Sequence, residues 1–231
     1  MNEQKKDLDE IHSAKIAVLA SLIADRVTHL PRHILVVGCG SGNEAGIIAR
    51  KFGADTIGID LEKEFSFDHA GSAPAKLMQM DAQSLDFADE QFDLVFSFHA
   101  LEHITNPETA LKQMARVLRP GGLFCIGTPN KSRLIGYIGS ATTLKKKILW
   151  NLNDWRMHLT GRWDNAAGAH AGFTSNELLR LCHTAFGEAH EISADYYETL
   201  SRRPIVRKLK VSPFRHIIFP CVYVIGVRTS S

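Results

Sequence analysis

The 231-residue chain is poor in cysteine: four residues, at 39, 125, 182 and 221, with no CxxC pair among them. Isolated thiols without an even framework exclude a disulfide-stapled secreted scaffold and suit a reducing compartment, so the expected location is the cytoplasm. No stretch approaches the roughly 18 apolar residues needed to span a bilayer. The polar start Met-Asn-Glu-Gln-Lys-Lys-Asp holds no apolar signal core. An excess of one charge is also missing: the formal net charge is +2, so bulk electrostatics argue neither for nor against nucleic acid. Internal repeats and low-complexity tracts are absent. The length suits one domain with an ample core.

What is present is a buried-strand run, Ile34-Leu-Val-Val37, that breaks into glycines at alternate positions, Gly38, Gly40 and Gly42. Glycine has no Cβ, so the chain can turn sharply there and approach a ligand closely. The segment from Asn43 to Phe52 reads as a helix whose first amides face the same crevice. Such a loop serves dinucleotides, nucleosides and plain turns alike, so its context decides.

Residues 7 to 30 carry Ile11, Ala14, Val18, Leu22 and Val27 at helical spacing, which predicts a leading helix on a sheet edge or over the site, ended by Pro31. Strand and helix patterns then alternate. Strands are expected at 33–38, 55–59, 76–80, 92–98, 123–128, 189–193 and 221–227; helices at 43–52, 62–70, from Pro107 to 118 behind an Asn106 cap, and from Thr174 with Glu177 completing a capping box. This rhythm predicts an α/β fold: a Rossmann-like, doubly wound, mostly parallel seven-stranded sheet with helices on both faces. A single domain over 1–231 would divide into an N-terminal helix (1–30), a cofactor-binding core (31–130), an inserted substrate lid (131–170) and a C-terminal completion of the sheet (171–231).

Ligands of open parallel sheets bind beyond the carboxyl ends of the strands, and the residues there form a coherent set. The glycines follow strand one, Asp60 and Leu61 follow strand two, Asp81 and Ala82 follow strand three, and Ser97, Phe98 and His99 end strand four. Asp60 stands 18 residues beyond Gly42, about where a carboxylate can accept from both hydroxyls of a ribose. Asp81 can accept from an exocyclic amine while the Ala82 amide donates to the base.

Four motifs occur in order and spacing: Val-Val-Gly-Cys-Gly-Ser-Gly (36–42), Gly-Ile-Asp (58–60), Met-Asp-Ala (80–82) and Phe-Asp-Leu-Val-Phe-Ser-Phe-His-Ala-Leu-Glu-His (92–103). Leu-Arg-Pro-Gly-Gly-Leu (118–123) follows. With these the chain resembles the class I S-adenosylmethionine-dependent methyltransferases, in the broad group that includes the ubiquinone-biosynthesis O-methyltransferases. The likeness covers roughly residues 30 to 130.

The resemblance implies S-adenosylmethionine as cofactor, with Gly38, Gly40 and Gly42 along its methionine portion and Asp60 with Leu61 at the ribose. It implies Asp81 with Ala82 at the adenine and Ser97 with His99 beside the sulfonium. Many relatives carry an acidic residue two places before the first glycine, where this chain has Val36. The cofactor's ammonium then needs carbonyls of Gly38 or Ser97, or the side chain of Glu44. The expected activity is methylation, on oxygen, of a small-molecule, glycan or lipid-associated acceptor. A non-catalytic binding module and an NAD-dependent oxidoreductase are the alternatives. The latter fits worse, because Asn43 stands where GxGxxG needs its last glycine.

His99 and His103 are the candidate bases for an acceptor that arrives protonated. His99 to His103 also reads HxxEH, but it follows a strand directly instead of lying on a long helix, and no metal is expected. His170 sits at the exit of the insertion. Trp150, Trp155 and Trp163 either stack on a substrate, close a lid or pack a core. The basic residues of 202–216 suggest a peripheral membrane contact or an anionic lipid-linked substrate, or else a solvated helix face. Nucleic acid is not the expected partner, since no Asn/Asp-Pro-Pro-Tyr motif follows strand four. The sequence leaves the oligomeric state open.

Overall fold

The computed structural model describes residues 2–62, 75–137, 143–166, 169–201 and 214–230, with residues 206, 209, 210 and 212; side chains are described from Glu10 onward. Seven strands, β1 (His33–Val37), β2 (Asp55–Asp60), β3 (Lys76–Gln79), β4 (Phe92–Phe98), β5 (Leu118–Pro129), β6 (Gly187–Glu191) and β7 (Cys221–Arg228), form one sheet in the order β3-β2-β1-β4-β5-β7-β6. The first five are parallel, whereas β7 runs antiparallel to both β5 and β6. The expected seven-stranded, mostly parallel sheet is what forms.

Strand β1 shows why the sheet is covered on both sides. Ile34 and Val36 enter one core with Leu94, Phe96 and Tyr223, while Leu35 and Val37 enter the other with Val95, Phe124 and Val224. A period of two with both faces apolar leaves only the two-layer solution. The first core is closed by α1 (Asn2–Ala24), α2 (Asn43–Phe52) and α6 (Ser193–Ser201), the second by α3 (Pro107–Val117) and α5 (Ser175–Phe186). Asn106 accepts from the Thr109 amide and Pro107 opens α3. Thr174 and Glu177 make the reciprocal capping box of α5.

Several boundaries differ from the sequence reading. Helix α1 ends at Ala24, seven residues before Pro31, and the Arg26 guanidinium donates to the Leu22 carbonyl at that end. Its buried stripe is Ile16, Leu19, Ala20, Leu22 and Ile23; of the expected set Leu22 is buried and Val18 and Val27 pack against the same core, whereas Ala14 is exposed. Helix α6 lacked a sequence signal; it is held by the ring of Tyr196 against Tyr223 and by Asp195 against Arg26. The helix expected at 62–70 lies, beyond Glu62, outside the described residues. The insertion leaves and rejoins the body at adjacent points, where Asn130 bridges Phe173, and it carries α4 (Leu144–Leu159). A last short helix, α7 (Arg215–Ile218), precedes β7.

All four cysteines are free thiols. Burial pushes Cys39 and Cys125 up to about 12, so both are inert packing residues at neutral pH.

Leu111 of α3 is 1 % exposed in the second core. Leu111→Ala is expected to cost about 2–5 kcal/mol in urea unfolding. A change under about 1 kcal/mol would show that this face is not tightly packed.

Candidate active site

The chain order reverses between β1 and β4, and a crevice of about 710 Å³ opens beyond the carboxyl ends of the strands there. Its wall brings together Gly38 and Gly40 from the first loop, Asp60 and Leu61 from the second, Asp81 and Ala82 from the third, and His99 and His103 from the fourth. The volume lies in the range that holds a nucleoside-sized ligand.

Each loop is built for its place. Gly38 has φ +71°, and a Cβ there would stand 2.1 Å from that of Ala100, so only glycine lets the first and fourth loops touch. The amides of Gly38 and Cys39 both donate to the Ile59 carbonyl, tying the first loop to β2. At Gly40, φ is +51° and a Cβ would meet nothing within 4 Å; its amide donates to Asp60 Oδ2 at 2.8 Å. Asp60 Oδ1 accepts from the Glu62 amide at 3.1 Å. Each oxygen thus spends one acceptor position on backbone and keeps another for a ligand. Asp81 Oδ1 accepts from the Gln83 amide at 2.8 Å, which fixes its turn beside the crevice.

Two residues of the expected set lie elsewhere. The Gly42 amide donates to the Cys39 carbonyl, and Gly42 serves as the left-handed cap of α2, so neither it nor its amide reaches the wall. Ser97 is 1 % exposed within β4, the alternation of the strand turning it into the protein, and its hydroxyl has no partner.

Sequence reasoning understated the part played by α1 and α2. His12 and Lys15 of α1 and Glu44 of α2 also line the crevice. Glu44 is 7 % exposed; His12 Nε2 lies 3.0 Å from its Oε1, while Oε2 is buried without a partner. Burial raises the Glu44 carboxyl above its ordinary value, against the lowering pull of His12. A half-satisfied carboxylate at the wall of a crevice is costly unless a ligand supplies a donor.

The fourth loop holds a second cluster. His99 has φ +54°, donates its amide to the Gly127 carbonyl, and stacks on Phe98 with ring centres 4.2 Å apart. Burial pulls its imidazole down to about 4, so it is neutral at physiological pH, and its Nε2 has no partner. The turn Leu101–His103 is a single 3₁₀ turn, not a long helix. On it Glu102 is 6 % exposed with burial raising its carboxyl to about 7, and His103 stands half-exposed at the crevice. Burial, then the neighbouring His170, lower His103 below its ordinary value. The rings of His103 and His170 meet with centres 4.6 Å apart, which joins the insertion's exit to the site.

The three tryptophans do not join the wall. Trp163 is buried inside the insertion, donating to the Lys131 carbonyl with the Arg133 guanidinium over its ring; Trp150 and Trp155 lie on the surface. Among the described residues, no group of three or more His, Cys, Asp and Glu is placed to hold a metal ion. Of the basic segment 202–216, Arg202, Arg203, Arg207 and Lys208 lie outside the described residues, and Lys210 forms ion pairs with Asp195 and Glu198.

A seven-stranded sheet of this order is the fold the chain shares with solved methyltransferases. Residues 35–126 match the family model described as a methyltransferase domain, and the chain is an S-adenosylmethionine-dependent methyltransferase of class I. It is 25 % identical over 205 residues to the ubiquinone biosynthesis O-methyltransferase of Pseudomonas fluorescens (strain SBW25), covering 82 % of this chain and 83 % of that protein. To the O-methyltransferase resE of Aspergillus sclerotiorum it is 36 % identical over 103 residues, covering 41 % and 39 %. Among solved structures, the plantazolicin methyltransferase BpumL in complex with SAH shares the fold at a TM-score of 0.63 and 14 % identity, covering 99 % of this chain and 90 % of that one. The cofactor is S-adenosylmethionine. The orphaned Glu44 oxygen, the spare acceptor positions of Asp60 and the open face of Gly40 fit it.

An acid whose folded pKa is raised holds its proton more tightly in the native state. Native stability therefore falls as pH rises from the ordinary carboxyl value toward 7, and stays lower above it. Glu102→Gln keeps the shape of the neutral form. It is expected to exceed the parent by about 1–3 kcal/mol at about pH 8, and by no more than about 0.5 kcal/mol near pH 4.5, in urea unfolding. Equal stabilities at both pH values would show that Glu102 bears no burial cost.

Proposed function

We propose that the protein transfers a methyl group to a hydroxyl oxygen of a small-molecule, glycan or lipid-associated acceptor, with His103 as the base. The observation that carries this reading is the contact between His103 and His170, which sets a neutral imidazole where the crevice meets the insertion. The oxygen-methylating names of the relatives support the acceptor atom.

When bound, S-adenosylmethionine supplies a sulfonium methyl whose leaving group is a neutral thioether, so no acid is needed to expel it. The protein's main task is alignment, which can contribute about 7–11 kcal/mol through effective concentration. Asp60 accepts from the ribose hydroxyls, and Asp81 with the Ala82 amide reads the adenine edge. Glu44, aligned by His12, receives the α-ammonium in place of the acidic residue that Val36 replaces, and Lys15 faces the carboxylate. His99, neutral and stacked on Phe98, shapes the floor beneath the reacting atoms. His103 takes the acceptor's proton, which matters for a phenol of pKa about 10. His170 packs on His103 and adds to burial in lowering its imidazole. The insertion 131–170 selects the acceptor.

Two ligands separate these roles. Asp60→Ala is expected to weaken both adenosylhomocysteine and 5′-methylthioadenosine, which lacks the amino-acid end. Glu44→Gln is expected to weaken adenosylhomocysteine by about 10- to 100-fold and leave methylthioadenosine within about twofold, by calorimetry. Equal losses for both ligands in Glu44→Gln would remove Glu44 from the ammonium.

For the chemical step, His103→Ala is expected to lower the single-turnover rate about 10²- to 10⁴-fold with adenosylhomocysteine affinity unchanged. Because His170 pushes the His103 pKa down, His170→Ala should move the acid limb of the pH–rate profile to higher pH. An unaltered rate in His103→Ala would exclude it as the base, and cofactor binding with no methyl acceptor in a metabolite extract would favour a non-catalytic module.

A further inference from the structure

Helix α4 is docked inside out. Its inward face is polar: Asn151 exchanges hydrogen bonds with the Gly136 backbone, Asp154 accepts from Arg133 and from the Tyr137 hydroxyl, and His158 packs on Trp163. These residues follow one another at helical spacing, and Asp154 is 7 % exposed. The apolar stripe, Leu144, Ile148, Leu152, Trp155 and Leu159, also keeps helical spacing and points outward, with relative exposures of 73, 52, 50, 45 and 88 %. Leu134 and Ile135 extend it, since the Trp155 indole donates to the Leu134 carbonyl at 2.7 Å, and both are more than half exposed.

Charge identifies what covers this face. Lys145 and Arg156 border the stripe on its solvent side, and both are exposed. The helix's one acid, Asp154, is turned inward and neutralised by Arg133. Exposed leucines and a tryptophan bordered by cations, with no acid on the outer side, match the interface of an anionic bilayer. A partner of mixed charge would find no acid on the outer side of this helix to pair with its basic groups. Among the described residues no helix is long and apolar enough to cross a membrane, so the contact is peripheral.

We propose that α4 is a membrane-surface anchor that lays its Leu144–Leu159 stripe into the headgroup region of an anionic lipid surface, with Lys145 and Arg156 against lipid phosphates. This goes beyond the methyl-transfer reading and does not depend on it. It places the lipid contact on the insertion, whereas the sequence pointed to 202–216.

The test is co-sedimentation of the whole protein with vesicles of phosphatidylcholine alone and of phosphatidylcholine with phosphatidylglycerol. Pelleting is expected with the anionic vesicles only, with a blue shift of tryptophan fluorescence, and should be largely lost at about 1 M salt, where the Debye length is about 3 Å. Lys145→Ala and Arg156→Ala should each weaken binding about fivefold, and together about 25-fold. The double variant Leu152→Glu, Leu159→Glu should abolish it. All these side chains are exposed, and an unchanged affinity for adenosylhomocysteine checks that the variants fold. Three results would overturn the proposal: equal binding to neutral vesicles, full binding by the leucine variant, or a soluble dimer in light scattering that the leucine variant dissociates.

Discussion

The contact on which the site depends is the approach of the loop after β1 to the loop after β4. It exists because Gly38 presents no Cβ to Ala100, and because the first loop is tied sideways to β2 by two amides on one carbonyl. With the loops pinned together there, the helices that follow must leave the sheet on opposite faces, α2 toward one core and α3 toward the other. The crevice is what that divergence leaves open. The strand-tip residues then fall on one wall as a consequence of register, not of any attraction between them.

The electrostatics of the crevice follow from the same burial. Glu44 and His99 on its wall, and Glu102 buried on the turn beside it, are each biased toward the neutral form. Such burial favours a ligand that arrives charged where a buried oxygen has no partner. The zwitterionic end of an amino acid is such a ligand. Glu44, held by His12, presents its unpartnered oxygen at that wall, which is what supports the proposed ammonium contact. Half of that device sits on the leading helix, so α1 belongs to the site and is not only a cover for the sheet.

How much of this was legible in the sequence differs by element. The strands β1, β2 and β4 were readable because apolar runs on both faces leave no other solution, and the strand-tip residues followed from topology alone. Gly42 and Ser97 were misplaced, since spacing says which residues end a strand and not which way each side chain or amide turns. His12 and Lys15 could have been noticed only as polar interruptions of an apolar helix. Helix α6 gave no signal, because its stability comes from Tyr196 against Tyr223 and Asp195 against Arg26, contacts between residues far apart in the chain. His170 was readable as a glycine-flanked histidine at the insertion's exit; its partner was not.

Helix α4 carries the sharpest version of that limit. Its period was present in the sequence, and a periodic apolar stripe is ordinarily read as the buried face. Which face turns inward is decided by what waits there. Arg133 is 8 % exposed, with the Trp163 ring over it and the carbonyls of Asn130 and Ala171 beside it, and it needs a carboxylate. Asp154 supplies one, and a buried ion pair deprived of either partner costs about 3–5 kcal/mol. Rolling α4 to bury its leucines would break that pair and the Asn151–Gly136 bonds together. The polar face therefore wins the interior and the apolar face is left outside, where it persists only if something covers it in use.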